Sequence, residues 1–469
     1  MGVAVNTRLK IPPQDFFLRR ENFGGLLCFT KHPNVYILNS TGYDVMSYIL
    51  DKYGTSYINI RDLIEYLHSR YPSIERSKIE HDINAFLLQL SQEGFIEMEE
   101  PIKEYIKVDE IRSSSPLEFK GVLGVEPYVL SAPLSVLIEL TYRCNLKCMH
   151  CFSSSPRITE ELTTEDWFSL IDELFAIRVP NVFLSGGEPL LREDFLDIAR
   201  YLKARNIGAC LLTNGTLLTP DLVRVIKKET SIFKIELNLD SHIPEIYDMF
   251  RGVKGAFERS VEAIKLCLEE RISFRVNVTV TKLNINHLKE IASYAIELGI
   301  PEVVFVPLRP AGKALATRAS LEVDPIIYYN ALSELHRFRE TLSPGKKLVI
   351  ASEFDENMMK IIDPIRIMPA CGAGRLHCTI TPQGNVKLCP TFPDDFIAGN
   401  ILKEPLRKVW LNSEIFHMVR NTSNLPPQCV SCPEKGCLGG CLIRGMNTYG
   451  KLLGGPDPYC PYSLQVARG

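Results

Sequence analysis

The chain has 469 residues, 45% apolar and 23% charged, with 53 Lys and Arg against 56 Asp and Glu, a net charge of −3. That balance excludes a broadly basic nucleic-acid binder, and no apolar run approaches the ~18–20 residues of a membrane span. The N-terminal residues lack the basic-then-apolar pattern of a secretory signal, so a reducing, cytoplasmic setting is expected, in which the 14 cysteines point to metal rather than to disulfides.

The length allows two to four domains. Residues 1–105 are expected to form a small α+β unit. FFLRR, GGLLCFT and NVYIL are short apolar runs separated by turn residues, as in a meander of strands. YDVMSYILDKYG, LIEYLHSRY and IERSKIEHDINAFLLQLSQEG carry apolar residues at helical spacing, and GFIEMEE follows as a wing strand. Strands, three helices and a wing describe a winged helix-turn-helix. As a DNA reader it would need a basic stripe for phosphates. Its third helix instead sets Glu75, Glu80, Asp82 and Glu93 against Arg76 and Lys78. Residues 106–131, with Arg112-Ser113-Ser114-Ser115-Pro116 and a Gly-rich end, are expected to be a linker.

Residues 132–330 alternate strand and helix through six units. The strands are LSVLIEL, NVFLSG, GACLLTNG, FKIELNLD, FRVNVTV and VVFVPL; the helices include WFSLIDELFAI, DFLDIARYLKA, PDLVRVIKK, AFERSVEAIKLCLEE and NHLKEIASYAIELG. Such alternation predicts a parallel sheet with right-handed crossovers, and six units make an open, partial (β/α)6 TIM-like barrel. Chemistry is expected at the carboxyl ends of its strands. Residues 331–365 bridge to a region, 366–469, rich in Cys, Gly and Pro, whose one clear helix starts near Leu406 and runs through VWLNSEIFHMVR. So irregular a region needs cross-links other than a hydrophobic core.

Three cysteines, Cys144, Cys148 and Cys151, stand as CxxxCxxC after the first barrel strand. Three thiolates so spaced can hold three corners of a cubic iron–sulfur cluster and leave one iron open. A zinc site would need a fourth ligand; His150 is near, but it directly precedes Cys151 and chelating both is awkward. Eight more cysteines run Cys371-x6-Cys378-x10-Cys389, then Cys429-x2-Cys432-x4-Cys437-x3-Cys441, then Cys460, enough for two four-cysteine clusters. Spacing alone would group Cys429 to Cys441, and CxxCxxxxCxxxC would also permit a zinc ribbon. Cys28, Cys210 and Cys267 stand apart and are expected to be buried small hydrophobes.

CxxxCxxC with an aromatic ring before its last Cys, after the first strand of a partial barrel, resembles the radical S-adenosylmethionine (SAM) enzymes. Ser185-Gly186-Gly187-Glu188-Pro189-Leu190 after the second strand resembles that family's GGEP segment. The resemblance implies that Cys144, Cys148 and Cys151 hold a [4Fe–4S] cluster whose open iron chelates SAM. It also implies that Gly186, Gly187, Glu188 and Pro189 help hold the SAM methionine. Thr213, Asn214 and Gly215, Asp240 and Ser241, and Asn277 and Thr279, at later strand ends, are candidates to complete the site. No general base is named. The C-terminal region resembles the SPASM extension of these enzymes, with four residues between Cys432 and Cys437 where the family has five. Carried over, the resemblance gives Cys371, Cys378, Cys389 and Cys441 to a first auxiliary cluster and Cys429, Cys432, Cys437 and Cys460 to a second, three [4Fe–4S] clusters in all. Full ligation would suit electron transfer; a free cysteine would leave a place for a substrate thiolate.

The N-terminal unit resembles the PqqD-like leader-recognition domain, most clearly in Tyr36-Ile37-Leu38-Asn39-Ser40-Thr41-Gly42. This implies a leader peptide added as a strand at about 33–38 against the helix at about 75–90, a general mode of peptide binding. The expected function is thus a radical SAM oxidoreductase that matures a ribosomally made precursor peptide, with a ferredoxin or flavodoxin as reductant and neither nucleic acid nor membrane as partner. A thioether is the leading product, ahead of a carbon–carbon cross-link or an oxidative decarboxylation. The alternatives are a maturase of a small molecule such as a tetrapyrrole or of a protein side chain and, from another class, a non-enzymatic iron–sulfur regulator or electron carrier.

Overall fold

The computed structural model describes residues 8–10, 16–30, 35–52, 58–92, 95–98, 123–342, 350–351, 370–434 and 436–466. The chain divides into two compact units, 1–120 and 121–469.

In the first unit, β2 (Phe16–Glu21), β3 (Gly24–Phe29) and β4 (Val35–Leu38) form an antiparallel meander in the order β2-β3-β4. β1 (Arg8–Lys10) pairs with β5 (Ile58–Asn59) and with the wing strand β6 (Glu97–Met98). Helix α1 (Ser40–Asp51) starts where the Asn39 side chain accepts from Gly42 N at 2.8 Å. α2 (Ile60–Arg70) starts likewise on Asn59. Such caps are worth about 1 kcal/mol each. α3 (Arg76–Gln92) buries Ile79, Ile83, Phe86, Leu87 and Leu90 into one core with Met46, Ile49, Leu63 and Ile64. The strands, three helices and wing read from the sequence are all present.

The second unit is built on one sheet in the order β13-β12-β11-β10-β9-β8-β7-β14-β15-β16. Its six central strands are those read from the sequence: β7 (Ser135–Thr141), β8 (Asn181–Gly186), β9 (Gly208–Leu212), β10 (Ile232–Asn238), β11 (Phe274–Val280) and β12 (Val303–Pro307), parallel throughout. The crossover helices are α4 (Thr164–Ala176), α5 (Phe195–Ala204), α6 (Pro220–Glu229), α7 (Pro244–Arg251), α8 (Ala256–Glu269) and α9 (Leu288–Glu297). One face of each strand is apolar and buried under these helices, as with Val136, Ile138 and Leu140 of β7. The result is a partial (β/α)6 barrel. Among the described residues, no helix is long and apolar enough to cross a membrane.

Three sequence expectations need correction. The 106–131 linker ends early: 99–122 lie outside the described residues, but Leu123, Val125 and Leu130 are buried. Leu130 O accepts from Trp410 Nε1 at 2.8 Å, so this Gly-rich stretch is part of the C-terminal core. The 331–365 bridge is partly regular: α10 (Pro325–Glu340) fills its start and β13 (Ile350–Ala351) adds a parallel strand beside β12. Its remaining residues, 343–349 and 352–365, lie outside the described residues. The irregular C-terminal region joins the barrel sheet through β14 (His377–Ile380), parallel to β7, and the antiparallel β15 (Asn385–Lys387) and β16 (Gly399–Asn400). Its expected long helix breaks at Ser413 into α11 (Leu406–Asn412) and α12 (Glu414–Arg420).

Candidate active site

β7 ends at Thr141 and the chain turns into the loop that carries Cys144, Cys148 and Cys151, all partly buried. Each sulfur has a polar partner. Leu146 N donates to Cys144 Sγ at 3.4 Å, Arg251 Nη1 to Cys148 Sγ at 3.7 Å, and the Ser153 hydroxyl lies 3.3 Å from Cys151 Sγ. Burial raises the Cys144 thiol to about 11 and the Cys148 thiol above its ordinary value, and the donors from Leu146 and Arg251 work against that rise, toward the thiolate that binds metal. Among the described residues, no three His, Cys, Asp or Glu side chains converge on a single-ion position. A cubic cluster gives every thiolate its own iron, so three sulfurs spread around a loop fit a cluster better than one zinc ion. His150 does not supply a fourth ligand: its ring stacks on Phe250 at 4.1 Å and 4°, and burial holds its pKa well below the ordinary value.

The loop is held from two sides. On one side stands the C-terminal end of α7, a helix that the sequence reading missed. Arg251 O accepts from Lys147 N at 3.0 Å and Phe250 O from Met149 N at 3.1 Å. Gly252 takes a left-handed φ of +69°, and a Cβ there would stand 2.5 Å from Lys147 O. The buried Arg251 guanidinium pairs with Asp240. Burial alone would disfavour its charge, but Asp240 raises its pKa above the ordinary value. Asp240 also accepts from Thr279 N at 2.8 Å, and its carbonyl from Asn284 Nδ2 at 2.8 Å. Asp240 is therefore committed to protein partners rather than offered to a ligand. Ser241 is buried and accepts from Ile243 N at 2.9 Å.

On the other side lie the ends of β8 and β9. Gly187 N donates to Thr141 O at 2.7 Å and Glu188 N to Arg143 O at 2.8 Å, so residues 186–188 run hard against the start of the cysteine loop. A Cβ on Gly186 would stand 2.2 Å from Thr141 O, and one on Gly187 2.3 Å from Arg143 O. Only glycine fits at both. Glu188 is wholly buried and accepts from Leu190 N at 3.2 Å, Thr213 Oγ1 at 2.7 Å and Asn214 N at 2.9 Å. Burial pushes its pKa up to about 7 despite these donors. Pro189, itself buried, opens a single turn. Asn214 Nδ2 reaches Asn145 Oδ1, beside Cys144, at 2.9 Å. Gly186, Gly187, Glu188, Thr213 and Asn214 thus form one bonded tier around the cysteine loop. Asn277 lies elsewhere on the barrel interior, its Nδ2 on Glu236 at 2.9 Å.

The eight C-terminal cysteines fall into two groups and one outlier. Cys371, Cys389 and Cys441 line a cavity of about 240 Å³ with Leu137, Arg309 and His377. Cys429, Cys432, Cys437 and Cys460 form a second neighbourhood, in which burial raises the Cys429 thiol to about 11 and the Cys437 thiol to about 12, and charges on the neighbouring thiols add to the rise. Cys378, expected with the first group, does not line that cavity; it is wholly buried on β14, with its pKa pushed up to about 12. The supports of these groups were missed too. Buried Arg375 donates to Cys371 O at 3.1 Å and Leu438 O at 3.3 Å. Buried Asp457 accepts from Cys441 N at 2.7 Å and from Arg444 Nη2 at 2.7 Å, so one carboxylate joins the segments of Cys441 and Cys460. Of the isolated cysteines, Cys267 is buried on the apolar face of α8, Cys28 is buried near the Arg19–Glu21 pair, and Cys210 lies 3.5 Å from Glu236 on the barrel interior.

The description "Radical SAM superfamily" matches residues 138–295, "Iron-sulfur cluster-binding domain" (SPASM) residues 371–433, and "Coenzyme PQQ synthesis protein D (PqqD)" residues 26–96. The chain is similar to the AdoMet-dependent heme synthase of Methanosarcina barkeri, 32% identical over 71% of this chain and 97% of that protein. It is similar to the mycofactocin maturase MftC of Mycolicibacterium smegmatis, 33% identical over 71% of this chain and 83% of that one. Streptococcus suis SuiB, solved bound to its precursor peptide SuiA, shares the fold: TM-score 0.70 at 18% identity, over 97% of this chain and 100% of that one.

Proposed function

The chain belongs to the radical SAM superfamily, with SPASM and PqqD-like modules, and from that premise we propose that it matures a ribosomally made precursor peptide. As a member it is an enzyme that uses SAM and iron–sulfur clusters. Together these supply a hydrogen-abstracting radical at an unactivated C–H bond, and the protein's part is position and electrostatics. In this reading Cys144, Cys148 and Cys151 hold the SAM cluster. Gly186, Gly187, Glu188, Pro189, Thr213 and Asn214 shape the SAM site beside the cysteine loop, and Asn277 contributes from further along the barrel interior. Asp240 acts through Arg251, and Ser241 caps the turn beside it. The C-terminal thiols hold two auxiliary clusters, which brings the count to three, and a low-potential donor such as ferredoxin or flavodoxin supplies electrons. Sites so dense in thiols suit the cytoplasm.

The observation that carries the peptide substrate is the N-terminal sheet. β4 pairs with β3 alone among the described residues, so its far edge presents backbone N–H and C=O groups to an added strand. SuiB, of like fold, was solved with a precursor peptide bound. A thioether or carbon–carbon cross-link removes two hydrogens from the peptide.

The test is anaerobic incubation of reconstituted enzyme with SAM, dithionite and the short peptide encoded beside its gene. The expected result is 5′-deoxyadenosine together with a peptide lighter by two hydrogens, lost when residues 1–120 are removed. Turnover that ignores every peptide would sink the proposal. A second reading, a tetrapyrrole substrate, is favoured by the heme synthase relative, of which the match covers 97%. The same assay with a porphyrin precursor in place of peptide decides between them.

A further inference from the structure

Glu139 is wholly buried, and its two oxygens differ. Oε2 accepts from the Tyr142 hydroxyl at 3.0 Å, whereas Oε1 has no partner among the described residues. Side chains alternate along a strand, so Glu139 of β7 shares a face with Leu137 and Thr141. Leu137 lines the cavity of Cys371, Cys389 and Cys441, and Thr141 ends the strand where the cysteine loop begins. Glu139 thus stands on the barrel interior between the two cysteine sites. Paired strands add polar neighbours to the same face: Ser185 of β8 opposite Glu139, Thr379 of β14 opposite Leu137, and Lys387 of β15 opposite Thr379. Thr379 Oγ1 is also buried and without a partner among the described residues. Buried polar atoms left unpaired are rare and costly, and two on one face mark a place for a polar group from outside the chain. Burial pushes the Glu139 pKa up to about 7 and Asp394 adds to the rise, while Lys387, the Tyr142 bond and Arg157 restrain it. Such a carboxyl can exchange a proton near neutral pH. Its neighbours are less suited. Asp394 is partly buried, but Arg157 at 2.5 Å and Lys387 at 3.3 Å hold its pKa below the ordinary value, which makes it a weaker base. Glu188 has both oxygens engaged, by Leu190 N, Thr213 Oγ1 and Asn214 N.

We infer that Glu139 is the proton acceptor in the cross-linking of the precursor peptide, a role that rests on the peptide-maturase reading of the chain. A thioether or carbon–carbon cross-link costs the peptide two hydrogens. One leaves as an atom when a C–H bond breaks, and becomes a methyl hydrogen of 5′-deoxyadenosine. The other leaves as a proton from the S–H or C–H group that joins the radical carbon, and as the new bond closes the surplus electron passes to an oxidised iron–sulfur cluster. The Glu139 carboxylate takes that proton on Oε1, while Tyr142 keeps its bond to Oε2. The neutral acid then releases the proton to water before the next turnover.

The test uses full-length enzyme, reconstituted anaerobically, with SAM, dithionite and the short peptide encoded beside its gene. Glu139→Gln keeps the side chain's shape and an acceptor for Tyr142. It should still form 5′-deoxyadenosine, while the yield of lighter peptide falls about a hundredfold. In wild type the ratio of lighter peptide to 5′-deoxyadenosine should rise with pH through about 7, because only the ionised carboxyl accepts a proton. Tyr142→Phe removes a donor that favours the anion and should move that rise to higher pH. Lighter peptide made by Glu139→Gln at the wild-type rate overturns the inference. So does the loss of both products at unchanged iron content, which would make Glu139 a support of the SAM site. Should Glu139→Gln lose its fold, the wild-type ratio decides: a ratio that stays flat across neutral pH, or one that Tyr142→Phe does not move, overturns the inference. Infrared spectroscopy reads the carboxyl without turnover. The wild type minus Glu139→Gln difference should show a protonated carboxyl that ionises near pH 7, and its absence overturns the inference. Wild-type enzyme that shows this titration and forms 5′-deoxyadenosine but no lighter peptide overturns the peptide-maturase reading instead.

Discussion

The Arg251–Asp240 pair offers the sharpest test of how the cysteine loop is held. The two side chains are 5% and 2% exposed, and Arg251 is the residue that reaches Cys148 Sγ. Replacing Arg251 by Met keeps the bulk of the stem but leaves the Asp240 carboxylate buried without its counter-ion. Breaking a buried pair in this way costs about 3–5 kcal/mol, most of it the stranded charge rather than the pair's own worth. Asp240→Asn strands the guanidinium instead and should cost a similar amount. The double variant strands neither charge, so it should be less destabilised than the sum of the two, by a coupling of about 1–3 kcal/mol. The assay is anaerobic urea unfolding of the cluster-free protein, all four proteins side by side. The cluster gives an independent reading: removal of a positive donor from Cys148 should move the reduction potential of the SAM cluster downward in both variants that lack Arg251, including the double variant whose fold is rescued. Additive costs would refute the buried-pair account. An unchanged potential would refute the role of Arg251 at Cys148.

Three further outcomes follow from the same contacts. Gly187→Ala puts a Cβ at 2.3 Å from Arg143 O; forced overpacking of this kind costs about 1–3 kcal/mol, and calorimetry of the reconstituted protein should show SAM affinity lowered by about tenfold or more. Glu139 and Glu188 are wholly buried, and burial pushes both pKa values up to about 7. A raised carboxyl means that the folded state binds more protons than the unfolded one, so stability is greatest below pH 4.5 and falls as pH rises toward 7, by about 3 kcal/mol for each group; unfolding at pH 5 and pH 8 should show this slope in wild type and a flatter one in the Glu139→Gln/Glu188→Gln variant. Replacement of Cys28 and Cys267 by Ala should leave the iron content unchanged and cost about 1–2 kcal/mol in stability, because both thiols are wholly buried and each leaves a small void.

The barrel was legible because its signals are local. Each central strand is a run of five to seven residues with an apolar face, and two of the crossover helices carry side-chain caps, the reciprocal Thr163–Asp166 box of α4 and Thr219 before Pro220 at α6. The candidate cluster thiols stand out for the same reason: CxxxCxxC and CxxC are short-range spacings. β14 was not, since HCTI is four residues with no period of its own, and its place beside β7 comes from pairing across more than 200 residues. Helix α7 could have been found, for Pro244 opens it and Gly252 closes it, the usual asymmetry of a helix. Missing it meant missing Arg251.

Asp240 and Cys378 share one feature that their place in the chain leaves open. Residue type and order say what a side chain can bind; they do not say which way it faces. At the end of β10 an aspartate is equally suited to a ligand and to a guanidinium, and only the folded position of Arg251, eleven residues on, decides between them. At Cys378 the count of eight thiols invited two complete sets of four, yet a set needs its members on one face. The parity of strand β14 puts His377 on that face and its neighbour on the other. Cysteine counting in such a region therefore gives an upper bound on ligation, and the strand register corrects it.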